Sequence, residues 1–109
     1  MSHVSTHVLD TSLGVPAAGV HLALTDADGV VIASGVTDDD GRVADLGPEA
    51  LHPGTHTLTF ATGAYFAVRG VASFFPSVAV SFTIPEGPAT HHHVPLLLSP
   101  FAYSTYRGS

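Results

Sequence analysis

The side chains of this sequence that change protonation near neutrality are histidines, and eight of them occur in 109 residues. Three are consecutive, His91, His92 and His93, and another, His7, lies in "STHVLD". On an extended strand His91 and His93 project from one face, a spacing at which two imidazoles reach one ion, and His7 offers a third ligand to an open-sided zinc. Against a metal, strand histidines ordinarily hydrogen-bond at a surface, and no Asp or Glu in the run offers an outer partner. Metal-free hydrolysis asks for less: a neutral imidazole to take a proton from water, a second group to orient it, and a cation to hold developing negative charge. His7, His93 and Arg42 are of the right types. A nearby guanidinium also disfavours the imidazolium and so keeps a base neutral. Arg42 follows three aspartates in "TDDDGRV", and a turn residue paired with its acidic neighbours is the plainer reading of it.

Other chemistries are thinly represented. The chain has no cysteine, which excludes thiol nucleophiles, disulfides and thiolate metal sites. Its three basic residues are all arginines, Arg42, Arg69 and Arg107, so no lysine is present to form a Schiff base. A formal charge of −6 repels a phosphate backbone, which argues against nucleic acid as a partner. Neither "DADG" nor "DDDG" places acids where a calcium loop needs them, and both read as turns. Ser5, Ser99 or Ser104 beside a histidine is a weak hint of a serine nucleophile, without a G-x-S-x-G elbow. No basic-then-apolar leader opens the sequence, and the expectation is a cytoplasmic protein.

The elements that position these groups are strands. "HVSTHVLD" alternates, with Val4, Thr6 and Val8 on one face and His3, Ser5, His7 and Leu9 on the other. "VHLALT" and "VVIASGVT" flank "DADG" and read as a hairpin. "THTLTFAT", "SVAVSFTI" and "HHHVPLLL" are three more strands, separated by clusters of Gly and Pro that include "TGAYFAVRG". "PEALH", with Pro48 at its start, is the one expected helical turn. At 109 residues the chain is expected to be a single domain, residues 1–109, and many short strands with almost no helix predict an all-β sandwich. In the last strand Val94, Leu96 and Leu98 share the core face, which sends His93 and Leu97 outward, as the first strand sends His7 and Leu9 outward. A leucine pair on the outer face, in a chain with only 11% charged residues, points to a partner subunit over it. Pro95 requires an edge, a bulge or the unpaired side of its strand. His3, His21, His52 and His56 read as surface or loop residues.

The tail, "YSTYRGS", carries two tyrosines and an arginine where frayed ends are usually small and polar. Together with "STHVLDTSLGVPAAGV", "TDDDGRV", "TGAYF", "FFPSVAVSFTI" and "HHHVPLLLSPF", it makes nearly the whole chain resemble the 5-hydroxyisourate hydrolases of the transthyretin-like family. The Tyr-Arg-Gly-Ser ending is the most specific element, because transthyretin, the hormone carrier of the same fold, lacks it.

The resemblance implies a prealbumin-type sandwich of two four-stranded sheets with one short helix. It implies a homotetramer, a dimer of dimers, with active sites in the channel between dimers. It implies hydrolysis of 5-hydroxyisourate to 2-oxo-4-hydroxy-4-carboxy-5-ureidoimidazoline in urate breakdown, with no metal or other cofactor. The family's functional residues fall on His7, Arg42 and His93 as the catalytic set. Tyr106, Arg107, Gly108 and Ser109, with the nearby Ser104, fall in the substrate-binding tail. Family members commonly read H-Y-H where this chain has His91, His92 and His93; His92 therefore replaces a tyrosine, on the opposite strand face from His93, and implies a packing change. Two rival readings stay open at this stage, a non-enzymatic carrier using the same channel and a zinc hydrolase built on His91, His93 and His7.

Overall fold

A computed structural model describes residues 2–108. Ten strands and one helix run in the order β1 (Val4–Ser5), β2 (Val8–Asp10), β3 (Val15–Pro16), β4 (His21–Thr25), β5 (Val31–Val36), β6 (Gly54–Phe60), α1 (Thr62–Val68), β7 (Val78–Ile84), β8 (His92–His93), β9 (Leu96–Ser99) and β10 (Ala102–Thr105). They build two four-stranded sheets, β5-β4-β6-β7 and β10-β9-β2-β3, and a parallel pair, β1-β8. The first sheet is antiparallel throughout. In the second, β2 and β9 run parallel with Leu9 opposite Leu97, and β10 returns antiparallel on β9.

The inner faces carry the alternate apolar residues that strand parity selects. Val4, Val8, Leu96 and Leu98 from one side and Leu22, Leu24, Leu58, Phe60, Val78 and Val80 from the other form a single buried core. Asp10, also buried, accepts the Tyr65 hydroxyl at 2.8 Å and so ties α1 to β2. Burial pushes the Asp10 carboxyl up, but hydrogen bonds from Ser12, Tyr65 and Leu13 outweigh it and leave its pKa below the usual value. Burial and the bond to Asp10 push the Tyr65 phenol up to about 12.

The helix lies elsewhere than expected. Residues 48–52 are irregular because their polar backbone groups bond to His3: Pro48 O accepts the His3 N–H at 2.9 Å, and the Leu51 N–H donates to His3 Nδ1 at 2.8 Å. The helix forms instead over Thr62–Val68, a stretch whose glycine suggests a loop. Gly63 serves close packing: a Cβ there would come within 2.9 Å of Pro76 Cα. His3, expected at the surface, is buried, as is His56, whereas His21 and His52 are exposed.

The first and last long strands are each interrupted. β1 and β2 are separated at His7, and β8 and β9 at Pro95. The parallel ladder nevertheless runs through, since the Val94 N–H donates to Ser5 O at 2.8 Å and the Leu96 N–H to His7 O at 2.9 Å. Pro95 falls between these two donors, where its missing N–H leaves no gap in that ladder. On its other side the pairing with β10 stops at Thr105 opposite Leu96, so no partner there lacks a donor.

Candidate active site

Three segments distant in sequence meet at the break between β1 and β2. His7 fills it, half-buried, and forms an isolated antiparallel bridge with Arg42. The loop that brings Arg42 is closed by Asp38, whose Oδ1 accepts the Asp40 N–H at 2.9 Å and the Arg42 N–H at 3.0 Å. It is pinned to β2 by the Val8 N–H, which donates to Gly41 O at 2.8 Å. Gly41 has φ of +76°, and a Cβ there would collide with the Val8 carbonyl oxygen, so the approach needs glycine. Asp38 thus bonds to backbone, and among the described residues the Arg42 guanidinium forms no ion pair with the aspartates beside it.

His93 enters from β8, half-buried. Its Nδ1 lies 2.8 Å from Ser5 Oγ, and the same oxygen lies 2.7 Å from His91 Nε2. The parallel register makes this meeting, since Ser5 and His93 are Cα partners. Burial depresses the pKa of His93, and the Arg42 guanidinium adds to the effect, followed by His7 and His91. The imidazole is therefore held neutral at pH values where an exposed one is partly charged. That dependence also places Arg42 and His7 within electrostatic reach of His93.

The tail returns to this histidine. β10 runs back along β9, the Thr105 hydroxyl donates to Pro95 O at 2.6 Å, and the Gly108 N–H donates to His93 O at 2.8 Å. A Cβ on Gly108 would come within 2.5 Å of His93 Cδ2, so the chain lies flat against the ring. A cavity of about 510 Å³ opens there, lined by Phe82, His92, His93, Thr105, Tyr106 and Arg107 among others. His7 and Arg42 do not line it; His93 is the wall shared between the cavity and the His7–Arg42 side. His92 is buried on the opposite strand face from His93, and burial, then Arg107, His3 and His91, lower its pKa.

Of the residues named from sequence, His7, Arg42, His93 and Gly108 come together, and Tyr106 and Arg107 lie beside them along the cavity. Ser104 does not join the cavity. It sits opposite Leu97, itself opposite Leu9, in one row across the outer face of the sheet. Ser109 lies outside the described residues. His91 and His93 both turn a ring nitrogen onto Ser5, and among the described residues no three His, Asp or Glu side chains are arranged to hold one ion.

Residues 4–108 match the family described as HIUase/Transthyretin. The chain belongs to the HIUase/transthyretin family. A mouse 5-hydroxyisourate hydrolase is 44% identical over 114 residues, covering 99% of this chain and 96% of its relative. The structure of 5-hydroxyisourate hydrolase from Klebsiella pneumoniae superposes with a TM-score of 0.89 at 42% identity, covering 100% of this chain and 94% of the other. Transthyretin from Sparus aurata superposes with a TM-score of 0.91 at 33% identity, covering 99% of this chain and 97% of that one. The fold is therefore common to 5-hydroxyisourate hydrolase and transthyretin, and does not by itself tell one from the other.

Sequence reasoning assigns Ser5 only a weak role as a nucleophile and His91 none beyond metal binding. Strand parity already sets Ser5 and His7 on one face and His91 and His93 on another. What it lacks is the pairing of β1 with β8, which comes from chain ends 86 residues apart at Ser5 and His91.

Proposed function

We propose that the chain hydrolyses 5-hydroxyisourate in urate catabolism by metal-free general base catalysis. Water, positioned by His7 and His93, attacks the amide carbonyl in the six-membered ring of the substrate. One of the two imidazoles takes the proton of that water as the new C–O bond forms. The depressed pKa of His93 favours it as this base, because a base must be neutral when the water arrives. Arg42 and Arg107 balance the negative charge that develops on the carbonyl oxygen and on the delocalised ring. The imidazolium then returns its proton to the departing ring nitrogen as the C–N bond breaks, which leaves a carboxylate and a ureido group.

The convergence of His7, Arg42 and His93 from three separate segments carries this reading. A carrier needs no such trio. The working unit we propose is a dimer of dimers, in which the outer row Leu9, Leu97 and Ser104 faces a channel and a second copy covers it. Its support is that this row is apolar apart from one hydroxyl, and that β7 and β10 are open sheet edges able to pair with another copy. Tyr106 and Arg107, both exposed in the single chain, then line a pocket closed by assembly.

The test generates 5-hydroxyisourate in place from urate with urate oxidase and follows its absorbance. The protein accelerates the decay and yields one product enantiomer. Decay at the spontaneous rate, with racemic product, overturns the assignment. Chelation beforehand distinguishes the zinc reading, since only that one loses activity.

A further inference from the structure

We infer that Ser5 and His91 are positioning residues that fix His93 in the tautomer whose Nε2 is bare. The inference deepens the mechanism proposed above and rests on it for the role of His93 as base. Three contacts in series determine the tautomer. His91 Nδ1 lies 3.0 Å from Ser2 O, and a carbonyl only accepts, so this nitrogen carries a proton. In a neutral ring His91 Nε2 is then a lone pair, 2.7 Å from Ser5 Oγ. The serine has one proton and donates it there. Its oxygen keeps lone pairs for a single remaining partner, His93 Nδ1 at 2.8 Å, which must bring the proton to that bond. His93 is thereby left with Nδ1–H and an unprotonated Nε2.

That is the tautomer a general base requires, provided Nε2 faces open space. Among the described residues nothing hydrogen-bonds to it; the ring edge beside it, Cδ2, lies against Gly108, and His93 lines the cavity. When Nε2 takes a proton from water the ring becomes an imidazolium whose Nδ1–H still points at Ser5 Oγ, so the charged state keeps its acceptor. The chain needs no movement during the reaction. It follows the general logic of a base oriented by a third group, here a serine whose own direction is set by a second histidine. An imidazolium at His91 would keep its bond to Ser2 O but reverse the two bonds at Ser5, because Nε2 would then donate to Ser5 and Ser5 to His93 Nδ1, leaving the proton on the wrong nitrogen.

Three variants of the full chain test this, with turnover and the histidine tautomers read from two-bond ¹H–¹⁵N spectra of ¹⁵N-imidazole-labelled protein. The wild-type protein shows His93 protonated at Nδ1. Ser5→Ala lowers kcat by about tenfold to a hundredfold with KM nearly unchanged, and His93 loses its single tautomer. Ser5→Thr, which keeps the hydroxyl, restores both readouts. His91→Phe removes the acceptor of the serine proton, so Ser5 turns to His93 Nδ1 and His93 shifts to the Nε2–H form. A wild-type His93 with bare Nδ1, or a Ser5→Ala protein with wild-type kcat and tautomer, overturns the inference. His93→Asn separates it from the reading it rests on: turnover that survives that change removes His93 as the base, and the wild-type spectra still decide whether Ser5 and His91 set its tautomer.

Discussion

The two sheets of this sandwich differ in how regularly they are built. β5-β4-β6-β7 is antiparallel throughout, with seven consecutive pairs between β6 and β7 from Gly54–Ile84 to Phe60–Val78. In the facing sheet both central strands are interrupted, β1 from β2 at His7 and β8 from β9 at Pro95, and all the proposed chemistry lies at or beyond those interruptions. A continuous ladder consumes every backbone donor and acceptor along a strand. Here β3 and β10 stop short of the interruptions, so the groups that face away from the parallel ladder are open to other segments, and two visitors take them: the Arg42 loop, through Val8 N–H and the His7 bridge, and the tail, through His93 O. One sheet is the foundation, and the other leaves room for loop and terminus to bring Arg42 and Gly108 to two histidines.

If that division holds, damage to the regular sheet appears in stability and damage to the broken one in turnover. Leu58 is fully buried on β6, between Leu24 and Val80 in the register. Leu58→Ala is expected to destabilise by about 2–5 kcal/mol in chemical denaturation while the folded fraction keeps its kcat and pH profile. A changed pH profile would show that the two sheets are not independent. Arg42→Ala is the reverse case. It lowers kcat by about 10²–10³ if the guanidinium balances charge in the transition state, with little change in the denaturation midpoint. It also moves the acid limb of kcat/KM to higher pH, since Arg42 is among the groups that depress the pKa of His93 and its removal lets the base protonate sooner. A limb that stays in place would show that Arg42 has no part in setting that pKa.

Legibility from sequence follows the same division. The hairpin of β4 and β5, the strands β6 and β7, and the core face Val94, Leu96 and Leu98 are visible because regular burial writes itself as alternation. The same parity places His7 and His93 on outward faces. The helix escapes, because Gly63 and Pro76 are in van der Waals contact across a gap of sequence and glycine alone reads as a turn. The buried His3 escapes because its partners, Pro48 and Leu51, lie 45 or more residues away. β10 escapes because a strand made of "AYST" has neither alternation nor apolar mass; only its return along β9 defines it. Ser5 with His91 belongs with the helix and His3: each rests on a contact between segments distant in sequence, for which local pattern holds no signal.

The glycine of the Arg42 loop sharpens the comparison at smaller scale. Gly29, in the hairpin of the regular sheet, has φ of +81° with nothing within 4 Å of where a Cβ would stand, whereas Gly41 has φ of +76° and the Val8 carbonyl in the way. Gly29→Ala is expected to cost about 1–2 kcal/mol for the left-handed backbone alone and to leave turnover intact. Gly41→Ala adds the collision, so its loss in stability is larger and its kcat falls because the loop that carries Arg42 must lift off β2. Equal stability and equal kcat for the two variants would mean that the Val8–Gly41 contact is not what holds Arg42 opposite His7.

The smallest effect concerns His92, where this chain departs from the tyrosine that family members commonly carry. Its ring is buried, packs against His3 with centroids 5.4 Å apart, and neither His92 Nε2 nor His3 Nε2 has a hydrogen-bond partner among the described residues. Burial, Arg107, His3 and His91 all lower its pKa from the ordinary 6.5. The folded protein therefore binds fewer protons than the unfolded chain as pH falls through and below that value. Stability present above it is lost on acidification. His92→Phe keeps an aromatic ring of similar size, removes one unpartnered nitrogen and removes this titration. Between about pH 7 and pH 5 the melting temperature of the variant should fall less steeply than that of the parent, the remaining slope including His93, whose pKa is depressed in the same direction. Parallel curves would assign the acid sensitivity to other groups and leave the exchange of tyrosine for histidine without a cost in stability at low pH.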